Sequence, residues 1–468
     1  MSSYTTPSFL SALQSLGVTI SRFTERWVPD GWSICMALTA VVFVLAVTGA
    51  DVSPHEALLA WGGGVWTLVG LAMQFTLTIV AAYACITAPV VYRALDRLAA
   101  LPNPDIPRQA VFLVGALSIV AAYLNWAFCL IGGALFIPFV YRRNPKTDVR
   151  LLVVAALLGQ GTVWHGGLSG SAPLIMATPG NPLIVPAKGV AVIDRLYPIT
   201  ETLLNGFNLT YLLIVGIVAV AVTVLLHPAR GAKTLSEKDV LAMMPHIAEI
   251  PLSEGTPAAA ISRFSGWSWM AALLLAYPLG YGFIHAGFGA TWTINAYNAT
   301  FFVFALLLHR NPLSFLAACR AGLDKAWGIV IQFPFYAGIF GLITLTPLSH
   351  WIGEWFAKIA APQTFALTVY LYSALIDLFV PSGGAKWMLE APYLLSAGKE
   401  VGTSVVEILL AYSYGSSTPN LIHPYFAIPI LAVTGLRFGE IVGYGLIVTA
   451  ATLTCTCGAM LLMPYWFQ

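Results

Sequence analysis

The chain has 468 residues, of which 58% are hydrophobic and 9% are charged, and its formal net charge is +2. Because one globular core cannot bury so many apolar side chains, the composition excludes an ordinary globular domain. The small net charge argues against a nucleic-acid partner. The chain therefore reads as an all-α polytopic membrane protein. Continuous, non-alternating apolar runs that are long enough to cross a bilayer lie at 32–50, 65–92, 207–226 and 444–462.

Residues 1–30 are predicted to form an amphipathic helix on the membrane surface, because the segment lacks the pattern of a signal peptide and repeats apolar residues at helical spacing. Those residues are Phe9, Leu10, Leu13, Leu16, Ile20 and Phe23. The cysteines are scattered through apolar segments, so we expect no disulfide framework, no metal site and no cofactor.

The distribution of positive charge predicts the topology. Clusters of basic residues, which mark the cytoplasmic side, occur at 93–108, 142–150, 230–238 and 310–325. Since the segment 109–141 begins and ends on that side, we expect a re-entrant hairpin there, and a second hairpin at 363–396 that enters from outside. The prediction is about nine transmembrane helices plus two re-entrant hairpins, with a cytoplasmic N-terminus and a periplasmic C-terminus.

Two halves, 31–227 and 266–468, repeat one layout around a cytoplasmic linker at 228–265. Each half contains two apolar helices, a hairpin and a helix that breaks into small and polar residues. One extra crossing at about 266–288 inverts the second half relative to the first. Inverted repeats with broken helices are the architecture of secondary transporters. The broken helices are predicted at 149–183 and 403–430.

The breaks "HGGLSGSAPLIMATPGNPL" (165–183) and "GSSTPNLIHPYFAIP" (415–429) interrupt helices at membrane depth, where unpaired backbone groups are costly. Exposed oxygens suit a hard monovalent cation, and half-helix N-termini offer N–H groups to a carboxylate. The alternative is that these small residues only let helices pack closely. The candidate cation ligands are Ser169, Ser171, Thr178, Asn181, Ser416 and Ser417.

Lys386 and Glu390 lie four residues apart after the "PSGG" stretch at 381–384, so they share one face of a helix. One interpretation is that they only neutralise each other. The other is that Lys386 contacts an anionic substrate while Glu390 serves as its ionic or proton partner. Asp377 and Glu407 are weaker candidates, because each lies near a predicted helix end that water would reach.

Other polar and aromatic residues at the hairpin tips and breaks are candidate substrate ligands. Trp126 and Trp387 would wall an apolar tail, although Trp in membrane proteins more often packs or anchors. His165 and His423 each lie at a break, where a structural role competes with proton binding. The predicted substrate-binding residues are Asn125, Trp126, Ser382, Gly383, Gly384, Lys386, Trp387, Thr418, Asn420 and His423.

At these residues the chain resembles the short-chain fatty acid transporters of the AtoE type, a family of the wider ion-transporter superfamily. The likeness runs over most of the chain and is strongest in "FVPSGG" at 379–384, in the Asn420-x-Ile422-x-Pro424 element and in "GLRFGEIVGY" at 435–444. The resemblance implies cation-coupled uptake of small monocarboxylates, such as butyrate or acetoacetate, across the bacterial inner membrane. It also implies a homodimer and an elevator-like motion of a site built from both tips and both broken helices.

The chain departs from the family pattern at the second hairpin and the second break. Lys386 and Glu390 stand where the family commonly has an amide, and the family commonly has an acidic residue near Ser416. A charge moved between these elements would change the coupling ion or the preferred substrate. The coupling ion, Na⁺ or H⁺, and the identity of the carboxylate are therefore left open.

An intramembrane serine protease is the alternative hypothesis. The tetrapeptide Gly167-Leu168-Ser169-Gly170 matches the Gly-x-Ser-Gly core of rhomboids, and His423 or His285 would act as the base. A rhomboid has one such site and no duplicated hairpin. The duplicated layout therefore favours a transporter over an enzyme.

Overall fold

The computed structural model of the chain is built from α-helices. The structure describes residues 31–184, 191–228, 231–244, 255–309, 311–359 and 361–467. The predicted surface helix at 1–30 and part of the predicted linker at 228–265 lie outside these ranges. The described residues form helices joined by turns and loops, which confirms the all-α prediction.

The helices of the first half include the first predicted hairpin and the first predicted broken helix. They are α1 (Gly31–Thr48), α2 (Pro54–Gly64), α3 (Val69–Ile86), α4 (Pro89–Leu98), α5 (Pro107–Leu124), α6 (Gly133–Arg143), α7 (Val149–Leu157), α8 (Ser171–Ala177) and α9 (Gly206–Leu225). A π-helical turn at Phe128–Gly132 precedes α6, and a 3₁₀ turn at Trp164–Gly166 separates α7 from α8.

The second half follows two short helices of the linker region, α10 (Glu237–Met243) and α11 (Pro257–Arg263). A 3₁₀ turn at Thr418–Ile422 separates two of its helices, α19 and α20. Its helices are α12 (Gly266–His285), α13 (Gly287–Thr291), α14 (Ile294–Leu308), α15 (Pro312–Thr344), α16 (Leu348–Ile359), α17 (Phe365–Asp377), α18 (Gly383–Val401), α19 (Val405–Gly415), α20 (Pro424–Thr434) and α21 (Phe438–Trp466).

Length and hydropathy identify the membrane-crossing helices. Within the described ranges, 6 helices are long and apolar enough to cross a bilayer: Val69–Ile86, Pro107–Leu124, Gly206–Leu225, Pro257–His285, Pro312–Thr344 and Phe438–Trp466. Shorter apolar helices are Trp32–Thr48, Ile294–Leu308, Phe365–Asp377 and Pro424–Thr434. The chain is therefore a multi-pass membrane protein, while the count of nine crossings stays a prediction.

Each predicted hairpin consists of two helices that meet at an extended residue. In the first, α5 ends at Asn125, whose φ and ψ are −158° and 121°. In the second, α18 begins after Ser382, whose φ and ψ are −146° and 100°. Each turn therefore contains one extended residue, and whether the turns stop inside the membrane stays a prediction.

The broken helices divide between two hydrophobic cores. In one core, the hairpin α17–α18 packs with α8 and α19, through residues such as Trp387, Leu174 and Tyr412. In the other core, the arm α6 of the first hairpin packs with α7 and α20, through residues such as Ile137 and Ile430. Each hairpin thus packs against one half of the first broken helix and one half of the second. Inverted repeats produce this kind of reciprocal packing. The two breaks form the seam between the cores.

The arm α6 of the first hairpin is anchored at its charged end. Arg143 donates a hydrogen bond of 2.7 Å to Asp96 on the amphipathic helix α4, and this bond lowers the pKa of the Asp96 carboxyl below its ordinary value. Tyr141 of α6 accepts a 2.7 Å hydrogen bond from the Leu235 N–H. The linker segment that follows α9 is therefore fastened to the first hairpin.

Candidate functional site at the tips and breaks

Four segments converge at the seam. We call residues 125–127 the first tip, 158–170 the first break, 378–382 the second tip and 416–423 the second break.

The first tip is hydrogen-bonded to the first break. The Leu168 N–H donates to the carbonyl of Tyr123 at 2.7 Å, and the Trp126 N–H donates to Ser169 Oγ at 3.0 Å. Gly167 makes this approach possible, because a Cβ there would lie 2.6 Å from the Tyr123 carbonyl oxygen. Ser169 is therefore occupied in positioning the tip.

The second tip leads into a glycine that contacts the first break. A Cβ on Gly383 would lie 2.6 Å from the Trp164 ring and 2.7 Å from His165 Cε1. The Tyr412 hydroxyl of α19 donates to the Gly383 carbonyl at 2.6 Å. His423 of the second break donates through Nε2 to the Leu378 carbonyl at 3.3 Å, so the second break is bonded to the second tip as the first break is to the first tip.

The two breaks also contact each other. Asn420 Nδ2 donates to the Gln160 carbonyl at 3.2 Å. A Cβ on Gly161 would lie 2.2 Å from Leu421 Cγ, so only glycine permits this contact. Side chains of the second break are therefore packed directly on the backbone of the first break.

Buried polar atoms without a hydrogen-bond partner are concentrated at this convergence. Such atoms are rare in folded proteins, and each calls for an explanation. His165 Nε2 accepts the Ala172 N–H at 3.1 Å, so a neutral imidazole carries its proton on Nδ1. The unpartnered N–H groups are Asn125 Nδ2, Trp164 Nε1, His165 Nδ1 and Trp387 Nε1, and the unpartnered oxygens are Gln160 Oε1, Asp377 Oδ2, Glu390 Oε1 and Asn420 Oδ1.

Three charged side chains are buried beside the second tip. Lys386 Nζ donates to the Ser373 carbonyl at 2.7 Å and lies 3.4 Å from Asp377 Oδ1 and 4.0 Å from Glu390 Oε1. It also lies 4.8 Å from the centroid of the Tyr412 ring. The exposed fractions of the Lys386, Asp377 and Glu390 side chains are 0%, 1% and 1%. These residues form a buried charge cluster.

The position of Asp377 corrects the sequence interpretation. Its place at the end of α17 suggested contact with water, but tertiary packing buries it, and its nearest cation is Lys386. Glu407 forms a capping box with Ser404 at the start of α19, but it is buried too, so the expected contact with water is wrong for both residues. A role for Lys386 in substrate binding stays a prediction.

Some of the remaining predicted residues lie at the tips and breaks, and others lie beyond them. Thr178 bonds to the Leu174 carbonyl and the Ile294 N–H, and Asn181 bonds to its own turn, so both follow α8 rather than the first break. Ser417 and Thr418 donate to carbonyls one helical turn earlier. At or beside the tips and breaks are Ser171, Ser382, Gly384 and Ser416.

Sequence reasoning missed Gln160, Trp164 and Tyr412. Gln160 had a detectable signal, because it is an amide within an otherwise apolar run just before the glycine-rich break. Tyr412 had none, since its contacts with Gly383 and Lys386 are made across the fold.

The hydrogen bonds of Ser169 do not support a protease. Ser169 Oγ accepts the Trp126 N–H, whereas His423 is bonded to Leu378 and Tyr425, and His285 is bonded to Tyr281 on an exposed helix. Neither histidine is hydrogen-bonded to Ser169. The nucleophile and base of the alternative hypothesis are therefore not paired.

Comparison with known proteins decides the family. The family model described as short chain fatty acid transporter matches residues 12–463. The chain belongs to the short-chain fatty acid transporter family. It is 35% identical over 433 residues to a relative from Escherichia coli (strain K12), a match that covers 91% of this chain and 94% of that protein. A relative from Haemophilus influenzae is 32% identical over 427 residues, with the same coverage.

Both relatives carry the provisional name of short-chain fatty acid transporter. A structural neighbour is the Alcanivorax borkumensis YdaH transporter, whose crystal structure is described as having an unusual topology. The TM-score is 0.54 at 16% identity, and the match covers 98% of each chain, so the two share a fold. As a member of this family the chain is a transporter rather than an enzyme, as the sequence predicted.

Proposed function

We propose that this transporter couples entry of a cation, Na⁺ or H⁺, to uptake of a short-chain monocarboxylate across the bacterial inner membrane. The observation that carries the proposal is the group of unpartnered N–H donors where the first tip, the first break and the second hairpin meet. Family membership and the names of the relatives support this substrate class.

A carboxylate satisfies donors of this kind. Its two oxygens accept several hydrogen bonds, and bonds to a charged acceptor are roughly twice as strong as neutral ones. Asn125 Nδ2, Trp164 Nε1 and His165 Nδ1 are buried and lack partners. The Trp126 and Trp164 rings, with centroids 6.4 Å apart, offer apolar surface for a short alkyl chain. In this proposal the donors bind the carboxylate and the rings bind its tail.

A sodium ion would use the unpartnered oxygens of the two breaks. Gln160 Oε1 and Asn420 Oδ1 lack partners where the two breaks touch. Oxygen atoms are the ligands that hard cations prefer, and unwound helix segments are where secondary transporters place them. Ser169, Ser171, Ser416 and Ser417 stay candidates for the same role.

Alternating access would arise from an elevator-like movement that carries both tips and both breaks together, because the two hairpins and the two broken helices pack on one another. The movement would expose the site first to one side of the membrane and then to the other. This elevator-like motion, the re-entrant hairpins, the cytoplasmic N-terminus, the periplasmic C-terminus and a homodimer belong to the proposal. Cysteine accessibility at the two tips in native membranes and cross-linking of protomers test these features.

Substrate competition tests the proposed function. Purified protein in liposomes loaded with unlabelled butyrate is expected to exchange it for external labelled butyrate. Propionate and acetoacetate should compete, whereas succinate and palmitate should not, because the donors match one carboxylate and a short tail. Exchange no faster than in protein-free liposomes would contradict the proposal.

A further inference from the structure

The buried charge cluster carries unequal numbers of positive and negative groups. Lys386 supplies one cation, and Asp377 and Glu390 supply two carboxylates, all removed from solvent. With every group ionised, the cluster has a net charge of −1. An uncompensated charge at membrane depth costs several kcal/mol, so a neutral cluster is strongly favoured.

The hydrogen bonds leave one oxygen free on each carboxylate. Ser416 Oγ donates to Asp377 Oδ1 at 3.0 Å, and Ser373 Oγ donates to Glu390 Oε2 at 2.7 Å. Asp377 Oδ2 and Glu390 Oε1 accept no hydrogen bond. These two oxygens are therefore the positions where an added proton would sit.

A metal cation is a poor alternative at this cluster. Lys386 Nζ already contacts the Ser373 carbonyl and faces both carboxylates, so it occupies the position between them. A sodium ion beside the ammonium group would be repelled and would compete for the same oxygens. A proton needs only one oxygen.

The titratable groups that surround the cluster supply no second cation within the described ranges. Tyr412 of α19 and Tyr372 and Tyr393 of the second hairpin face the carboxylates. His165 of the first break faces Lys386, and its Nε2 accepts a backbone N–H, as a neutral imidazole does. The net charge of the cluster is therefore set by Lys386, Asp377 and Glu390.

We propose that Asp377 and Glu390 share one proton and that this proton is the coupling ion. A proton from water on one side forms an O–H bond with a free carboxylate oxygen, and that bond breaks when the proton returns to water on the other side. The carrier crosses inward with the carboxylate bound and the cluster protonated, and it returns empty with the cluster deprotonated, so one proton enters with each carboxylate. This inference rests on the proposed function and selects H⁺ over Na⁺.

The charge count makes an unusual prediction for single substitutions. Glu390→Gln leaves Lys386 paired with Asp377, and Asp377→Asn leaves it paired with Glu390, so either variant is neutral without an added proton. The infrared band of a buried carboxylic acid, identified by its shift in D₂O, should be present at neutral pH in the wild-type protein. It should be lost in both variants, although each retains one carboxyl group.

Transport assays should also distinguish the two variants from the wild type. In liposomes, both variants should lose butyrate accumulation driven by a proton gradient and retain butyrate exchange, because a permanently neutral cluster moves without releasing a proton. Glu354→Gln, a substitution of an exposed glutamate on α16, is the matched control and should keep accumulation and the infrared band.

The outcomes distinguish this inference from the proposed function. Three results would overturn proton coupling even if the wild type exchanges butyrate. The wild type could lack the acid band, both variants could keep it, or sodium alone could drive accumulation. Failure of the wild type to exchange butyrate would overturn the substrate proposal. The infrared band would still decide whether the cluster holds a proton.

Discussion

Lys386→Met is expected to destabilise the protein by about 3–5 kcal/mol, the range for removing one partner of a buried ion pair. Two carboxylates, Asp377 and Glu390, would remain without a cation in a region from which water is excluded. The Ser373 carbonyl would also lose its 2.7 Å hydrogen bond from Nζ. The free energy of unfolding, measured by denaturant titration in detergent, checks this result.

The triple variant Asp377→Asn, Lys386→Met, Glu390→Gln is the control for Lys386→Met. It removes every charge of the cluster and keeps similar side-chain volumes, so most of the lost stability should return. If the single variant unfolds like the wild type, the ammonium group does not compensate the carboxylates and the cluster is not the charge-balanced unit described above.

Gly167→Ala is expected to separate the first tip from the first break. The added Cβ would lie 2.6 Å from the carbonyl oxygen and 2.7 Å from Cα of Tyr123, and backbone atoms cannot rotate away as a side chain can. The φ of Gly167 is −90°, which alanine adopts freely, so the effect is steric. We expect a loss of about 1–3 kcal/mol of stability, as for other overpacked sites, and loss of butyrate exchange.

Gly70→Ala is the control for Gly167→Ala. Gly70 lies in α3 with no atom within 4 Å of an added Cβ, and alanine favours a helix, so stability and exchange should be kept. Thermal unfolding in detergent and exchange in liposomes compare the two variants. Wild-type stability and exchange in Gly167→Ala would show that the contact between tip and break is not required.

Sequence patterns predicted the two interruptions of this fold but not the contacts between them. Glycine and proline clusters predicted breaks at 165–183 and 415–429, because these residues free the backbone or remove donors. The observed breaks, 158–170 and 416–423, overlap these ranges, but α8 forms inside the first predicted break. The resemblance to the family was confirmed by the comparisons. The surface helix at 1–30 lies outside the described residues and stays a prediction.

Long-range packing explains what the sequence interpretation missed. Asp377 was expected to meet water because it ends a helix, but Lys386 and Ser416 from other segments enclose it. Gln160 and Asn420 are 260 positions apart in the chain, so no local pattern indicates that they touch. The division of both broken helices between two cores is likewise a property of tertiary contacts.

Butyrate exchange in liposomes that contain Asn125→Ala or Asn420→Ala protein tests the central claim most directly. These residues belong to the first tip and the second break, and each has a buried amide atom without a partner. If the tips and breaks form the binding site, both variants fold and exchange falls to the level of protein-free liposomes. Asn295→Ala, in an exposed side-chain pair away from the tips and breaks, should exchange like the wild type. Wild-type exchange rates in both variants would show that the substrate passes elsewhere.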